Sequence, residues 1–272
     1  MSATLEVDPV AARAALAGSA TRFTDLLRSV DDGTTPAIGV WNITNLAAHV
    51  SHGLDAITAL ARGSGSVLDD VWDLSRLSAT LVEGESTRRP ADLATRVDAT
   101  VAELLAVTDA TDAAAMRPWM VGGVELPVAG LLCHALNELE VHGRDIALAG
   151  GSTWSIERPH AVLVLEGFLF PALGGLGRAM VDQRATSGLR ACLEVRPRGG
   201  RTVYWSFDDG DLTIGRSRPR RVDCHLSVDP AAFLLVSWNR IGQWPAIMRG
   251  QLLAWGRRPW LGLKLRSLMR NP

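Results

Sequence analysis

Residues 127–151 read PVAGLLCHALNELEVHGRDIALAGG. A proline opens this stretch and paired glycines close it, the punctuation of a long helix. Leu131, Leu132, Leu136, Leu139 and Ile146 recur at three- and four-residue spacing and supply a buried stripe. His134, Glu138 and His142 follow one another at intervals of four, so all three project from one face within about two turns. Working outward, the same periodicity predicts three more helices. One spans Pro9 to Val30 and stops at Asp31-Asp32-Gly33-Thr34-Thr35-Pro36. A second starts near Thr44 and runs to the Gly63-Ser64-Gly65-Ser66 breaker. A third follows Pro90 through Leu93, Val97, Val101 and Leu104. No convincing strand interrupts them before Gly150. Four long amphipathic helices joined by loops predict a four-helix bundle over residues 1–150.

The period changes at about Leu189. There Leu189, Ala191, Leu193 and Val195 alternate with Arg190, Cys192, Glu194 and Arg196, and Pro197-Arg198-Gly199-Gly200 reads as a turn. Thr202 to Phe207, a turn at Asp208-Asp209-Gly210-Asp211, Leu212 to Gly215 and Val222 to Val228 continue the pattern. Helix resumes after Asp229-Pro230, Gly250 to Trp255 reads as a strand, and Trp260 to Leu268 as a short basic helix. Residues 188–272 are therefore expected to form an α+β domain with a small antiparallel sheet, and residues 151–187 a connecting helical segment. The fold class is α followed by α+β. The most apolar stretch, Ala161 to Met180, is interrupted by Glu166, Pro171 and three glycines, and is read as buried helix and turn, with no membrane span expected.

The chain has 272 residues, 47% of them hydrophobic and 21% charged. That composition is globular and excludes extended disorder, collagen-like repetition and a coiled-coil rod. Cys133, Cys192 and Cys224 form no C-x-x-C pair, which removes cysteine zinc knuckles and a disulfide framework and makes a reducing cytoplasmic location the expectation. No secretory or transit signal is visible in the first thirty residues. The net charge of −1 conceals an asymmetry: residues 1–150 hold 10 Arg against 20 Asp and Glu, and residues 151–272 hold 18 Arg and Lys against 9 acids. The basic half can face the acidic half or attract an external anion.

The chemistry sits in the histidines. A Glu and a His four apart on one helix, joined by a His from another, offer two imidazoles and a carboxylate. That set suits zinc or a related divalent ion and leaves coordination positions open for water or substrate. Such a pair is also common on solvated helix faces. Here, however, Leu132, Leu136, Leu139, Val141 and Ile146 surround Glu138 and His142, and a buried carboxylate needs a neutralising partner. There is no G-x-S-x-G turn, no phosphate-binding G-x-x-x-x-G-K-[ST] loop and no H-E-x-x-H helix, and Gly174-Gly175-Leu176-Gly177 follows no strand.

Trp41-x-x-x-x-Leu46-x-x-His49, followed about ninety residues later by Glu138-x-x-x-His142-x-x-Asp145, resembles the mycothiol-dependent maleylpyruvate isomerase family. The resemblance implies a DinB-like metal-binding bundle at residues 1–150 and a second domain similar to sterol carrier protein 2 at residues 188–272. It implies that His49, Glu138 and His142 are metal ligands, zinc first among the ions, and that Asp145 orients a ligand imidazole from behind. Asn45 departs from the Asp common in the family at that position, yet can still cap or hydrogen-bond. The family's catalytic arginine, found in a Gly-Arg context, matches Arg240 in Ser237-Trp238-Asn239-Arg240, with Asn in place of Gly. His52 and His134 lie close enough in sequence to approach the metal or to line its pocket, and both are left out of the ligand set. His160 and His225 read as capping or surface residues, and the tryptophans of the second domain as core.

The resemblance further implies an enzyme in which mycothiol, as thiolate, adds to an electrophilic small molecule. Elimination after bond rotation gives cis-trans isomerisation; without elimination the outcome is S-transfer. Arg240 would hold a substrate carboxylate. Expected partners are a low-molecular-weight thiol and a small electrophile or carboxylate, and not nucleic acid. The alternative from another class is a non-catalytic carrier of lipid or another apolar ligand in the second domain; a zinc-sensing regulator ranks behind both.

Overall fold

The computed structural model describes residues 7–270, which divide into two compact units, 7–156 and 157–270. The first unit is built on α1 (Pro9–Arg28), α2 (Ile43–Arg62), α4 (Pro90–Asp109) and α5 (Val128–Ala149), the four helices expected from periodicity, with the shorter α3 (Asp73–Gly84) between the second and third. Local chemistry starts and stops them. The Asp8 carboxylate accepts from the amides of Val10 and Ala11 ahead of α1, where Pro9 pre-sets the first turn. Asn42 and Asn45 exchange side chain-to-backbone bonds at the head of α2, and Gly63, at φ 82°, ends it. Asn45 thus keeps a capping role.

Helix α1 packs against α4 and α5, and α2 packs against the same two, so α1 and α2 stand on opposite sides of the bundle. Phe23, Leu16, Leu27, Leu46, Leu54, Ile57, Leu93 and Leu104 are fully buried between them. Gly143 explains a glycine inside α5: a Cβ there would lie 2.7 Å from the Trp154 ring. Trp154 donates to the buried Glu140 (2.8 Å), which also accepts from Ser19 (2.7 Å), fastening the chain after α5 back onto the bundle.

Short strands do interrupt this half. β1 (Pro36–Ile38) pairs with β2 (Trp41–Asn42), and β3 (Met116–Pro118) with β4 (Glu125–Pro127), as two small hairpins in the connections before α2 and α5. Strands of two or three residues are too short to show a period, which is why the loop reading missed them.

The second unit carries a five-stranded sheet, β5 (Arg190–Pro197), β6 (Val203–Asp208), β7 (Asp211–Gly215), β8 (Cys224–Val228) and β9 (Leu252–Trp255), in the order β7-β6-β5-β8-β9. It is mixed. The chain leaves β7 at one edge and crosses to the far side of β5, where β8 runs parallel to it with Glu194 opposite His225; the other pairings are antiparallel. Asp209 (φ 48°) and Gly210 (φ 85°) make the two-residue β6-β7 turn, both left-handed, as a type I′ hairpin requires.

Residues 158–180 form continuous helix: α6 (Arg158–Val164), a π-helical turn, α7 (Phe170–Leu176) and a final 3-10 turn. By length and composition it could cross a membrane, yet half of its most apolar window is buried inside the protein. Phe170 meets Trp205 of β6 and Phe233 of α8 (Pro230–Ser237), with ring centroids 5.8 and 6.1 Å apart. The buried Glu166 accepts from the Arg201 amide. Two more helices, α9 (Gln243–Met248) and α10 (Trp260–Leu268), flank β9. Trp205 is core as expected, whereas Trp244, Trp255 and Trp260 are exposed.

One polar cluster lies where the chain leaves α3 for the bundle. Glu85 accepts from the Thr87 amide (2.8 Å) and from Arg96 (2.8 Å), and Arg96 also pairs with Asp55, which accepts from Thr100 (2.9 Å). The Thr87 amide, then the Thr87 hydroxyl and Arg96, outweigh burial and hold the Glu85 carboxyl at about 2, against an ordinary 4.5. A depressed carboxyl stabilises the fold fully above its unfolded value and loses that contribution as pH falls through the folded one. Glu85→Gln is therefore expected to cost about 1–3 kcal/mol in urea unfolding at pH 7, with the difference from wild type shrinking between pH 4.5 and about 2. A pH-independent difference would show that the charge contributes nothing.

Candidate metal centre

His49 projects from α2, and Glu138 and His142 from α5, two helices in direct contact. His49 Nε2 lies 3.5 Å from Glu138 Oε2, and His142 Nε2 lies 3.5 Å from the same oxygen. One ligand atom from each residue falls within 4.8 Å of the other two. Ligands about 2.1 Å from a tetrahedral ion are separated by about 3.4 Å, close to both distances. The donor set fits a divalent cation, with two neutral nitrogens, one carboxylate oxygen and further positions left for other ligands.

The surroundings fix which atoms face the centre. His142 Nδ1 lies 3.2 Å from Asp145 Oδ2. A carboxylate can only accept, so Nδ1 carries the proton and, in the neutral ring, Nε2 presents its lone pair to the centre. A similar constraint acts on Glu138. The Trp119 indole, a donor only, lies 3.2 Å from His134 Nδ1. That nitrogen must accept, which places the His134 proton on Nε2, 3.4 Å from Glu138 Oε1. Asn137 donates to the same oxygen at 3.1 Å. Oε1 is thereby occupied and Oε2 is turned to the imidazoles.

Only 12% of the Glu138 side chain is exposed. Burial opposes its ionisation, but His134, His142 and His49 hold the carboxyl well below the ordinary range. Burial likewise opposes charging His142, and Asp145 together with Glu138 raises its pKa nonetheless. The pocket therefore concentrates negative potential where a cation would sit. Trp41 forms part of its wall, with its ring 5.0 Å from that of His49.

The other sequence candidates fall elsewhere. His52, one turn beyond His49, faces Glu85 at 3.2 Å and Arg96 at 3.5 Å; burial and then Arg96 lower its pKa. His160 lies 3.9 Å from Glu157 across one helical turn. His225 is less exposed than expected, 3.2 Å from Glu194 and stacked on Trp255. Arg240, in the second unit, donates to the Trp238 carbonyl at 2.8 Å. Asn239 before it has φ 58°, and the Asn239 and Arg240 amides bond back to Val236 and Leu235 at the end of α8. That left-handed position suits Gly or Asn, which accounts for the Asn-Arg sequence. Sequence reasoning left His134 undecided and missed Trp119 and Asn137. The four-residue spacing from His134 to Glu138 was a signal; Trp119, in the loop between β3 and β4, gave none.

Residues 16–147 match the family model of the mycothiol maleylpyruvate isomerase N-terminal domain. The crystal structure of the mycothiol-dependent maleylpyruvate isomerase aligns with 93% of this chain and 95% of its own, at 14% identity and a TM-score of 0.54. A histidine-to-alanine mutant of that isomerase aligns over the same shares at 13% identity and the same TM-score. Sterol carrier protein 2 from Yarrowia lipolytica, in its apo form, aligns with 28% of this chain and 71% of its own, at 20% identity and a TM-score of 0.22. A comparison with curated proteins finds no match. The chain resembles the mycothiol-dependent maleylpyruvate isomerase family, in sequence over the first unit and in fold over nearly its whole length.

Trp119→Phe removes the donor that sets the His134 tautomer while keeping an aromatic ring. It is expected to weaken zinc affinity about 10- to 100-fold, measured by competition with a chromophoric chelator. Affinity equal to wild type would show that His134 does not orient Glu138.

Proposed function

We propose that the chain is a metal-dependent enzyme that uses mycothiol to attack an electrophilic small molecule, with isomerisation across a carbon–carbon double bond as the leading reaction. The observation that carries this reading is the pair of 3.5 Å separations from Glu138 Oε2 to the imidazoles of His49 and His142. The family match over residues 16–147 supports the choice of thiol and reaction class.

In this proposal His49, Glu138 and His142 hold the ion, zinc by preference for this donor set. Bound there, it would supply Lewis acidity that favours the thiolate of a thiol whose free pKa is about 8.5. The protein's own groups do the rest. Asp145 keeps the His142 proton on Nδ1, and the Trp119–His134 pair with Asn137 keeps Glu138 Oε2 free for the centre. Buried Leu132, Leu136 and Leu139 on α5 limit water around the carboxylate, which strengthens its electrostatic pull. Arg240 is the proposed anchor for a substrate carboxylate through a two-pronged contact. S-transfer shares the thiolate addition and differs in whether elimination follows.

Protein purified without a histidine tag is expected to contain about one divalent ion per chain, the stoichiometry of a single such site. It should consume mycothiol or isomerise maleylpyruvate-like substrates in a chelator-sensitive way. His142→Ala is expected to lose both metal and activity; equal metal content in wild type and variant would end the assignment. Arg240→Ala is expected to keep its metal and lose about 100-fold in kcat/KM for carboxylate substrates. Equal losses for an uncharged electrophile would remove Arg240 from carboxylate recognition.

A further inference from the structure

Residues 230–272 contain six arginines and Lys264 and neither aspartate nor glutamate. The same segment carries the exposed apolar side chains of α9 and α10. On α9, Trp244 is 63% and Met248 84% exposed; on α10, Trp260 is 50% and Leu263 40% exposed. Within each helix the two lie one turn apart on one face. Gln243 donates to the Leu263 carbonyl at 2.8 Å and joins the two helices. At the far end of α10, Arg266 donates to Asn239 Oδ1 at 2.8 Å, next to Arg240. Arg249, Lys264 and Arg270 are exposed on the same stretch of chain.

We propose that the α9–α10 face docks the protein on an anionic phospholipid surface. Each helix exposes a pair of large apolar side chains, Trp244 with Met248 and Trp260 with Leu263, and the Gln243–Leu263 bond links the two helices. Tryptophan partitions to the headgroup level, where its ring is buried and its N–H stays wet, while Lys and Arg keep their charges among the phosphates. Arg257 and Arg258 pair with Asp223, whereas the exposed Arg249, Lys264 and Arg266 complement the potential of an anionic leaflet. The helices are short and amphipathic, so they would lie on the interface without spanning the bilayer. The metal centre takes no part, and this docking holds or fails independently of the proposed activity.

The test is co-sedimentation with phosphatidylcholine vesicles with and without phosphatidylserine, at low and high salt. It compares wild type, Trp244→Ser/Trp260→Ser and a control changed at an exposed site on the first unit, Val40→Ser. The wild type and the control are expected to bind only the serine-containing vesicles and to be released by salt. The double variant, folded by circular dichroism, is expected to bind at least about tenfold more weakly. Failure to bind the anionic vesicles, or equal binding by the double variant, overturns the proposal. So does a dimer in size-exclusion chromatography that needs the same two tryptophans, because a second copy would then be the occupant.

Discussion

Glu138 keeps a negative charge where water barely reaches it, and that constraint organises the first unit. A carboxylate buried on a helix between leucines is tolerable only with donors and a cation around it. The surrounding residues meet that need in two layers: His134 and Asn137 bond one oxygen, and His49 and His142 approach the other. The contact between α2 and α5 brings His49 to residues about ninety positions further along. The capping of α2 by Asn42 and Asn45, the packing of Trp154 over Gly143 and the burial of Glu140 each hold one of these two helices in place.

The outer residues matter because they select atoms. An imidazole without a partner can present either nitrogen; the Asp145 carboxylate and the Trp119 indole remove that freedom for His142 and His134. In the proposed metal site, preorganisation of this kind would spare the three residues the work of turning when an ion binds. The Glu85, Arg96 and Asp55 cluster, next to His52, plays the complementary role of satisfying charges that stay out of the centre.

Much of this was legible in the sequence. The four long helices followed from apolar spacing and their Pro and Gly boundaries, and the hairpin turn from Asp209-Gly210. Glu138 and His142 stood out by spacing; His49 came from the family resemblance, because no local pattern links residues so far apart. Helix α3 was missed although Leu74, Leu77 and Leu81 recur at helical spacing, so here the signal was present and went unread. The parallel β5-β8 pairing was missed because strand order depends on where a loop crosses the sheet, which alternation does not record. His134 stayed undecided because its role is set by Trp119, in the loop between β3 and β4.

The claim on which the rest depends is that one cation is shared by three side chains from two helices. Anomalous diffraction from crystals grown with zinc, recorded on either side of the zinc absorption edge, tests it most directly. One peak per chain is expected at about 2.0–2.2 Å from His49 Nε2, Glu138 Oε2 and His142 Nε2. A fully formed pocket without a peak, or a peak ligated by other residues, would contradict it.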